Sequence, residues 1–303
     1  MAIARWRGWK HVESTVKTPI FSPREREDFS ALLDDTSPAV QAGLVAYFGS
    51  RPEAAAEFLV GLAAGTDRVL AWHARRLLAE LRLADPVAEF RGFIHSLSYE
   101  LETGSVLLAR VVLPAADAGA CALELDRLAA RCRELIAEPA SARERCRVIN
   151  RVLFHEAGFR GNTEHYEDPL NSFLPVVLER RLGLPITLSI VYLLVARRVG
   201  LELEPVALPG HFLVGCFAEG APFFVDAFDH GAFRTAGELK LHLRARGFEA
   251  AESDFAPTPV REVLARCCRN LGAHYGAGGE AARARLFEGF VAAFESAYER
   301  PTA

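Results

Sequence analysis

Apolar residues recur with helical spacing over most of the chain and with strand spacing in one short stretch. After Ser37-Pro38, Val40, Leu44, Val45 and Phe48 fall on one helical face. A capping serine followed by proline suits a first turn. A second helix is predicted over 53–63. A third runs from Asp67 to Leu81 with Leu70, Leu77, Leu78 and Leu81 inward, and Asp85-Pro86 ends it. These predict a first region over 1–88 made of stacked helical hairpins with a polar, basic arm, its first 25 residues, carrying Trp6 and Trp9. The next block, 89–157, is also helical and is split by Pro114. Leu123, Leu125, Leu128, Leu135 and Ile136 make one amphipathic face. Ser141-x-x-Glu144 is a capping box opening a helix with Val148, Ile149, Val152 and Leu153.

The texture changes at 158. Gly158 to Pro169 is a turn-rich polar loop. Asp168-Pro169 starts a turn, and Ser172 or Asn171 is expected to cap a helix over 172–181. An apolar helix follows over 186–199. Three strands come next, Leu203 to Leu208, His211 to Phe217 and Pro222 to Phe228, with the turn of the last two at Ala218-Glu219-Gly220. Thr235-x-x-Glu238 opens another capped helix. The segment 248–303 holds a helical pair, about 259–275 and 280–299, with Leu286, Phe287, Phe290, Val291, Phe294 and Tyr298 on one face. The pair resembles a single tetratricopeptide-like hairpin, without a longer repeat array. The core region is 158–247, and the fold class is α+β, a small antiparallel sheet among many helices.

Composition narrows the function classes. Lys+Arg number 35 against 39 Asp+Glu, so the chain lacks the basic excess that nucleic-acid binding needs. The longest apolar run, Leu182 to Ala196, is shorter than the roughly 20 residues of a bilayer span. It reads as a core helix, and the start of the chain lacks the apolar stretch of a signal peptide. None of the six cysteines forms a CxxC pair. Reduced thiols in a cytoplasmic protein are the expectation, with Cys267-Cys268 in the core.

One constellation could carry chemistry. Opposed residues of a hairpin keep a constant position sum, and pairing His211 with Asp226 centres the turn between Ala218 and Glu219. The two are therefore expected as cross-strand neighbours, a carboxylate orienting an imidazole. Cys216 lies an odd number of residues from His211 and so on the opposite strand face. Thr187 and Ser189 stand near the start of the apolar helix, as nucleophiles or as hydroxyls bonded to a preceding carbonyl. His211, Asp226, Asp229 and His230 offer metal-ligand types, but neither a helical HExxH nor a cysteine pair supports a metal, and none is expected. His155 and His165 suit solvent or capping roles. Glu179-Arg180-Arg181 reads as a solvated face. Asn162, Asp168, Asn171 and Ser172 serve turn chemistry, a binding pocket, or both.

The stretches Gly158-Phe-Arg-Gly-Asn, Asp168-Pro-x-Asn-Ser-Phe-Leu, Leu178-Glu-Arg-Arg-Leu-Gly-Leu-Pro-Ile-Thr-Leu-Ser and Leu208-Pro-Gly-His-Phe-Leu-Val closely resemble the bacterial SirB-one family. The resemblance covers about 146–232 and extends weakly upstream through Leu101 to Arg110. It implies a divergent transglutaminase-like core of papain-like fold, a central helix packed on an antiparallel sheet. In catalytic relatives a cysteine opens that helix, with His and Asp on neighbouring strands. Counting back from Gly200, the cysteine position here is Pro185, which has no nucleophile. The sequence after the aspartate, Asp226-Ala-Phe-Asp-His-Gly, also departs from the usual pattern.

Three functions follow as expectations. The first is a non-catalytic module that binds a protein or peptide partner, without cofactor, nucleic acid or membrane. The second is an amide hydrolase or acyltransferase using Ser189 or Thr187 with His211 and Asp226. The third is a scaffold whose helical flanks carry the function.

Overall fold

The computed structural model describes residues 21–299 except Thr36, Ala64, Arg82, Ala84 and Glu219. The tryptophan-bearing arm therefore lies outside the described residues, as do Glu219 of the expected turn and the side chain of Tyr298. The chain divides into two compact units, Met1–Asp85 and Pro86–Ala303.

The described residues of the first unit form helices α1 (Pro23–Leu33), α2 (Pro38–Gly49), α3 (Pro52–Ala63) and α4 (Arg68–Glu80). Helix α1 was not expected from the apolar pattern. Its start is written in a capping box, with Ser22 accepting from the Glu25 amide and the Glu25 carboxylate accepting from Ser22. Ser37 precedes α2 but makes no side-chain cap, whereas Asp67 caps α4 through the Val69 and Leu70 amides. Leu44, Phe48, Phe58, Leu59, Leu77 and Leu78 fill the core of this unit.

The second unit opens with α5 (Pro86–His95), α6 (Leu101–Arg110), α7 (Ala118–Leu135) and α8 (Ala142–Asn150). The α7 face differs from expectation at one end. Leu123 is 72% exposed, and the buried stripe is Cys121, Leu125, Leu128, Ala129 and Cys132. Leu123 is two residues from Leu125 and so points almost oppositely on a helix. After α8 the helix widens into a π turn, Arg151–Glu156.

Strands β1 (Arg160–Gly161) and β2 (Leu182–Gly183) pair in parallel and bracket the polar loop together with helix α9 (Leu174–Arg180). The expected helix start at Ser172 is corrected here. Pro169–Ser172 is a separate 3-10 turn capped by Asp168, and α9 begins after Phe173 without a side-chain cap. Pro175 fixes the first turn of α9 instead. Arg181 also departs from a solvated face. It pairs with Glu124 and lies 4.6 Å over the Phe159 ring.

Helix α10 (Pro185–Arg198) is the centre of this unit, and every residue from Pro185 to Ala196 is buried. Each such Leu, Ile or Val contributes about 1.5–3 kcal/mol relative to exposure. Pro185 occupies the first turn, where no amide partner is needed, and Gly200, with φ +71°, ends the helix. Beside it lies the antiparallel sheet β3 (Glu204–Leu208), β4 (His211–Cys216), β5 (Phe223–Asp226) and β6 (Ala232–Arg234), in that spatial order. Strand β6 was not expected, since it is three residues long and partly exposed. Phe212, Val214, Cys216, Phe223 and Val225 join the core around α10. On the other face Leu213 and Phe224 pack with Leu239 and Leu243 of α11 (Ala236–Ala245). Helices α12 (Val260–Ala277) and α13 (Ala281–Glu299) complete the main core, with Phe287, Phe290 and Phe294 buried. The segments 89–157, 158–247 and 248–303 all contribute to it.

Two glycines lock the sheet to its surroundings. A Cβ on Gly161 would lie 2.3 Å from the Phe228 ring, so the ring can rest on that strand only over glycine. Gly231 has φ +79°, and a Cβ there would lie 2.3 Å from Asn150. Gly231→Ala is expected to lower unfolding stability by about 2–4 kcal/mol through crowding plus a strained φ. Denaturant melts check this, and a loss under about 0.5 kcal/mol would contradict the packing described.

Candidate functional site

The β4–β5 hairpin carries the imidazole–carboxylate pair. Its register differs from expectation by two residues. Val214 pairs with Val225, where the expected register would set Val214 opposite Phe223. A shift of two keeps every side chain on its face, so His211 and Asp226 still meet, but diagonally. His211 Nε2 lies 2.7 Å from Asp226 Oδ2. An ionised carboxylate only accepts, so Nε2 carries the proton. Asp226 Oδ1 accepts from the Phe228 and Asp229 amides at 3.1 and 3.2 Å.

Burial of Asp226 works to raise its pKa. The His211 hydrogen bond and charge, with the two backbone amides, outweigh burial and hold it below the usual aspartate value. His211 stands at the first position of β4, partly open to solvent, with its ring 6.4 Å from that of His242 on α11. Its Nδ1 has no hydrogen bond among the described residues.

The residues around the start of α10 are committed elsewhere. Thr187 donates its hydroxyl to the Asn171 carbonyl at 2.7 Å. Ser189 is fully buried and its hydroxyl has no hydrogen-bond partner. Neither hydroxyl bonds the His211 imidazole. Pro185 is buried in the first turn. Cys216 packs in the main core on the opposite face of β4.

The polar loop is held by its own amides. Asn162 Nδ2 donates to Asn171 Oδ1 at 2.9 Å, and Asn171 Nδ2 donates to the His165 carbonyl at 2.7 Å. Asp168 caps the 3-10 turn and pairs with Arg180 at 3.1 Å. Ser172 is buried with an unpartnered hydroxyl. These residues are brought together with one another, and the loop reaches the hairpin through Tyr166, whose ring lies 6.1 Å from that of Phe228. A cleft of about 250 Å³ lined by Asn162, Glu164, Leu182, Phe228 and His230 runs between the loop and the turn that follows β5. His155, His165 and Asp229 are exposed, and Asp229 pairs with Arg234. Among the described residues no group of His, Cys, Asp and Glu is arranged to hold a metal ion. Nor is any of their helices long and apolar enough to cross a membrane.

Sequence reasoning missed the support behind the pair. Tyr192 of α10 sets its hydroxyl 2.9 Å from Asn150 Oδ1 and 3.1 Å from the Cys146 carbonyl. Asn150 Nδ2 in turn donates to the Gly231 carbonyl at 2.7 Å. This buried chain ties α8 and α10 to the turn that follows Asp226. The available signal was a tyrosine in an otherwise apolar helix and an asparagine on the inner face of α8.

Asp226 is expected to contribute to acid sensitivity. Its lowered folded pKa means that its contribution is complete above the unfolded value near 4 and is lost as pH falls through the folded value. Asp226→Asn should flatten the stability–pH curve below about pH 4. Asp226→Ala should cost about 2–4 kcal/mol at neutral pH in denaturant melts, and an unchanged acid limb in both variants would contradict the pairing. The thiols give a second prediction. All six cysteines are buried and free. Burial pushes Cys121 up to about 11 and Cys132 and Cys267 to about 12. Iodoacetamide at neutral pH should leave the folded protein unlabelled and label it fully in denaturant. Rapid labelling of a folded-state thiol would contradict this.

The fold and the pair can now be set beside known proteins. The family model described as the transglutaminase-like superfamily matches residues 120–269. A UPF0162 protein of Xylella fastidiosa (strain Temecula1) is 41% identical over 133 residues, 42% of this chain and 47% of that protein. A UPF0162 protein of Pseudomonas aeruginosa is 31% identical over 170 residues, 55% of this chain and 62% of that one. F-box only protein 21 of Mus musculus is 37% identical over 131 residues, 41% of this chain and 20% of its own length. The chain thus spans about half the length of the Xylella relative that it matches. No solved structure matches the chain. With the matched stretch running from α7 through the sheet into α12, residues 120–269 form a divergent transglutaminase-like domain.

Proposed function

We propose that this transglutaminase-like domain binds a protein or peptide ligand at the surface formed by the His211 hairpin and the polar loop, and that it does so without cysteine catalysis. The observation that carries the reading is an intact imidazole–carboxylate pair with no nucleophile bonded to it. His211 is oriented by Asp226 at 2.7 Å, while Pro185 opens the central helix and Thr187 spends its hydroxyl on Asn171. General-base catalysis needs a nucleophile within about 3 Å of the imidazole. A second support is the surface itself. Tyr166 is 43% exposed and stands edge-on to Phe228, beside a cleft of about 250 Å³. Aromatic anchors with a polar rim suit ligand contact. That the matched stretch takes up 20% of F-box only protein 21 fits a module carried within larger chains. A cytoplasmic setting belongs to the same proposal.

Two measurements test it. Hydrolysis of p-nitrophenyl acetate by wild type and by His211→Ala should agree within about twofold, since each such factor is under 0.5 kcal/mol in barrier. Turnover abolished by both His211→Ala and Ser189→Ala would favour the hydrolase reading and overturn this one. For binding, peptides selected from a random displayed library on the wild-type protein should weaken about tenfold or more on Tyr166→Ser. A library that yields no saturable binder, or binders indifferent to Tyr166 and His211, would contradict the proposed surface.

A further inference from the structure

Among the described residues, Arg266 of α12 is a partly buried arginine without an ion pair to a carboxylate. Its Nη1 donates to the Leu208 carbonyl at 2.9 Å, and its guanidinium lies 5.6 Å from the Phe212 ring centre. Leu208 is the Cα partner of His211, so this group sits at the end of the β3–β4 hairpin. Other arginines withdrawn from solvent in this unit each meet a carboxylate. Arg145 has Glu138, Arg181 has Glu124, and Arg198 has Glu102 and Asp126. Arg269, three residues on, has Glu262. Arg266 has none, and the charged and titratable groups that act on it are Arg269, Cys267 and Tyr166. Burial holds its pKa below the usual arginine value, with Arg269 adding to the effect. A cation kept partly out of water without a counter-charge is costly to stability.

The free edge of this guanidinium has a defined chemistry. With Nη1 spent on Leu208, the Nε–H and Nη2–H fork has no hydrogen-bond partner among the described residues. Arg266 is only partly buried, and these nitrogens are not among the sealed, unpartnered atoms of the described residues. The same fork serves carboxylates elsewhere in the chain. Arg127 grips Glu124 through Nε and Nη2 at 2.8 Å each, and Arg131 grips Glu156 through the same two atoms at 2.8 and 3.4 Å. A parallel pair of N–H donors matches the two oxygens of a planar carboxylate. Tyr166, the exposed ring of the binding surface proposed above, is close enough to influence Arg266.

We propose that Arg266 is a carboxylate-binding residue, and that the ligand of this domain is a peptide presenting either its C-terminal carboxylate or an acidic side chain to the Nε–Nη2 fork. This rests on the ligand-binding reading of the hairpin and adds the chemical group recognised. Phe212 backs the guanidinium with its ring face, and the Leu208 carbonyl fixes its rotation, so the fork is ordered before a ligand arrives.

The test follows the backbone amide resonances of residues 166, 208 and 266 in the full chain, which wild type and variants all retain, during titration with four probes. N-acetyl-Gly-Tyr-Gly with a free carboxylate is compared with its carboxamide, with N-acetyl-Gly-Tyr-Asp-amide, and with inorganic phosphate. The expected result is a saturable shift with at least one carboxylate peptide and binding about tenfold weaker for the carboxamide. The free-carboxylate and aspartyl peptides distinguish a chain terminus from an acidic side chain. Arg266→Gln should abolish the preference, and Arg266→Lys should restore only part of it, since lysine keeps charge but not the fork. Should Arg266→Gln unfold, Arg266→Lys alone carries the comparison. Equal binding of acid and amide peptides would overturn the carboxylate site while leaving peptide binding intact. Saturation by phosphate alone, or no saturable shift with any probe, would overturn it as well. In the last case the displayed-library experiment separately decides the broader reading.

Discussion

The burial of α10 on all sides is the constraint from which the rest of the second unit follows. A helix with Pro185 to Ala196 inside must be enclosed all the way round. The sheet contributes Phe212, Val214 and Val225 to that enclosure, and α7, α8, α9 and α12 contribute to the same core. Every polar group carried inward then needs a partner inside. Tyr192 finds Asn150 and Cys146, and Thr187 finds Asn171. Those bonds hold the 3-10 turn at one end of the helix and the Gly231 turn beside the sheet. The geometry of His211 and Asp226 is thus a consequence of packing as much as of the pair's own attraction.

The same constraint bears on the proposed absence of cysteine catalysis. A proline at the first helical turn loses nothing, because the amide it lacks would be unpaired there. It also removes the side chain that acyl transfer would require. Ser189 does not compensate, since it sits within the buried length of the helix with an unpartnered hydroxyl. The second unit holds an oriented imidazole whose Nδ1 has no hydrogen bond among the described residues, a cleft between the polar loop and the turn after β5, and an arginine fork with no acid partner among those residues. These groups are what the proposed ligand-binding reading rests on.

Much of this was legible in the sequence, and the failures have identifiable causes. Helical periodicity located α2, α3, α4, α7, α8, α10 and α13. Helix α1 escaped because its signal was a cap box and not an apolar stripe. The hairpin register was displaced because the turn was centred from the His–Asp pairing itself; side-chain alternation protected the conclusion, since a shift of two keeps both groups on one face. Strand β6 and the π turn at Arg151–Glu156 are too short to leave a periodic trace. The family resemblance supplied the core arrangement, which the matched stretch at residues 120–269 supports. Asn150 and Arg266 were invisible because their meaning lies in contacts with Gly231 and Leu208, distant in the chain.

The central claim is that His211 is oriented by Asp226 and by no attacking group. Side-chain ¹⁵N spectra of His211 test it most directly. The account predicts a proton on Nε2 that is shifted downfield by Asp226 and loses that shift in Asp226→Asn, with resonances unmoved by Ser189→Ala or Thr187→Ser. A ring that responds to removal of either hydroxyl, or that carries its proton on Nδ1, would contradict it.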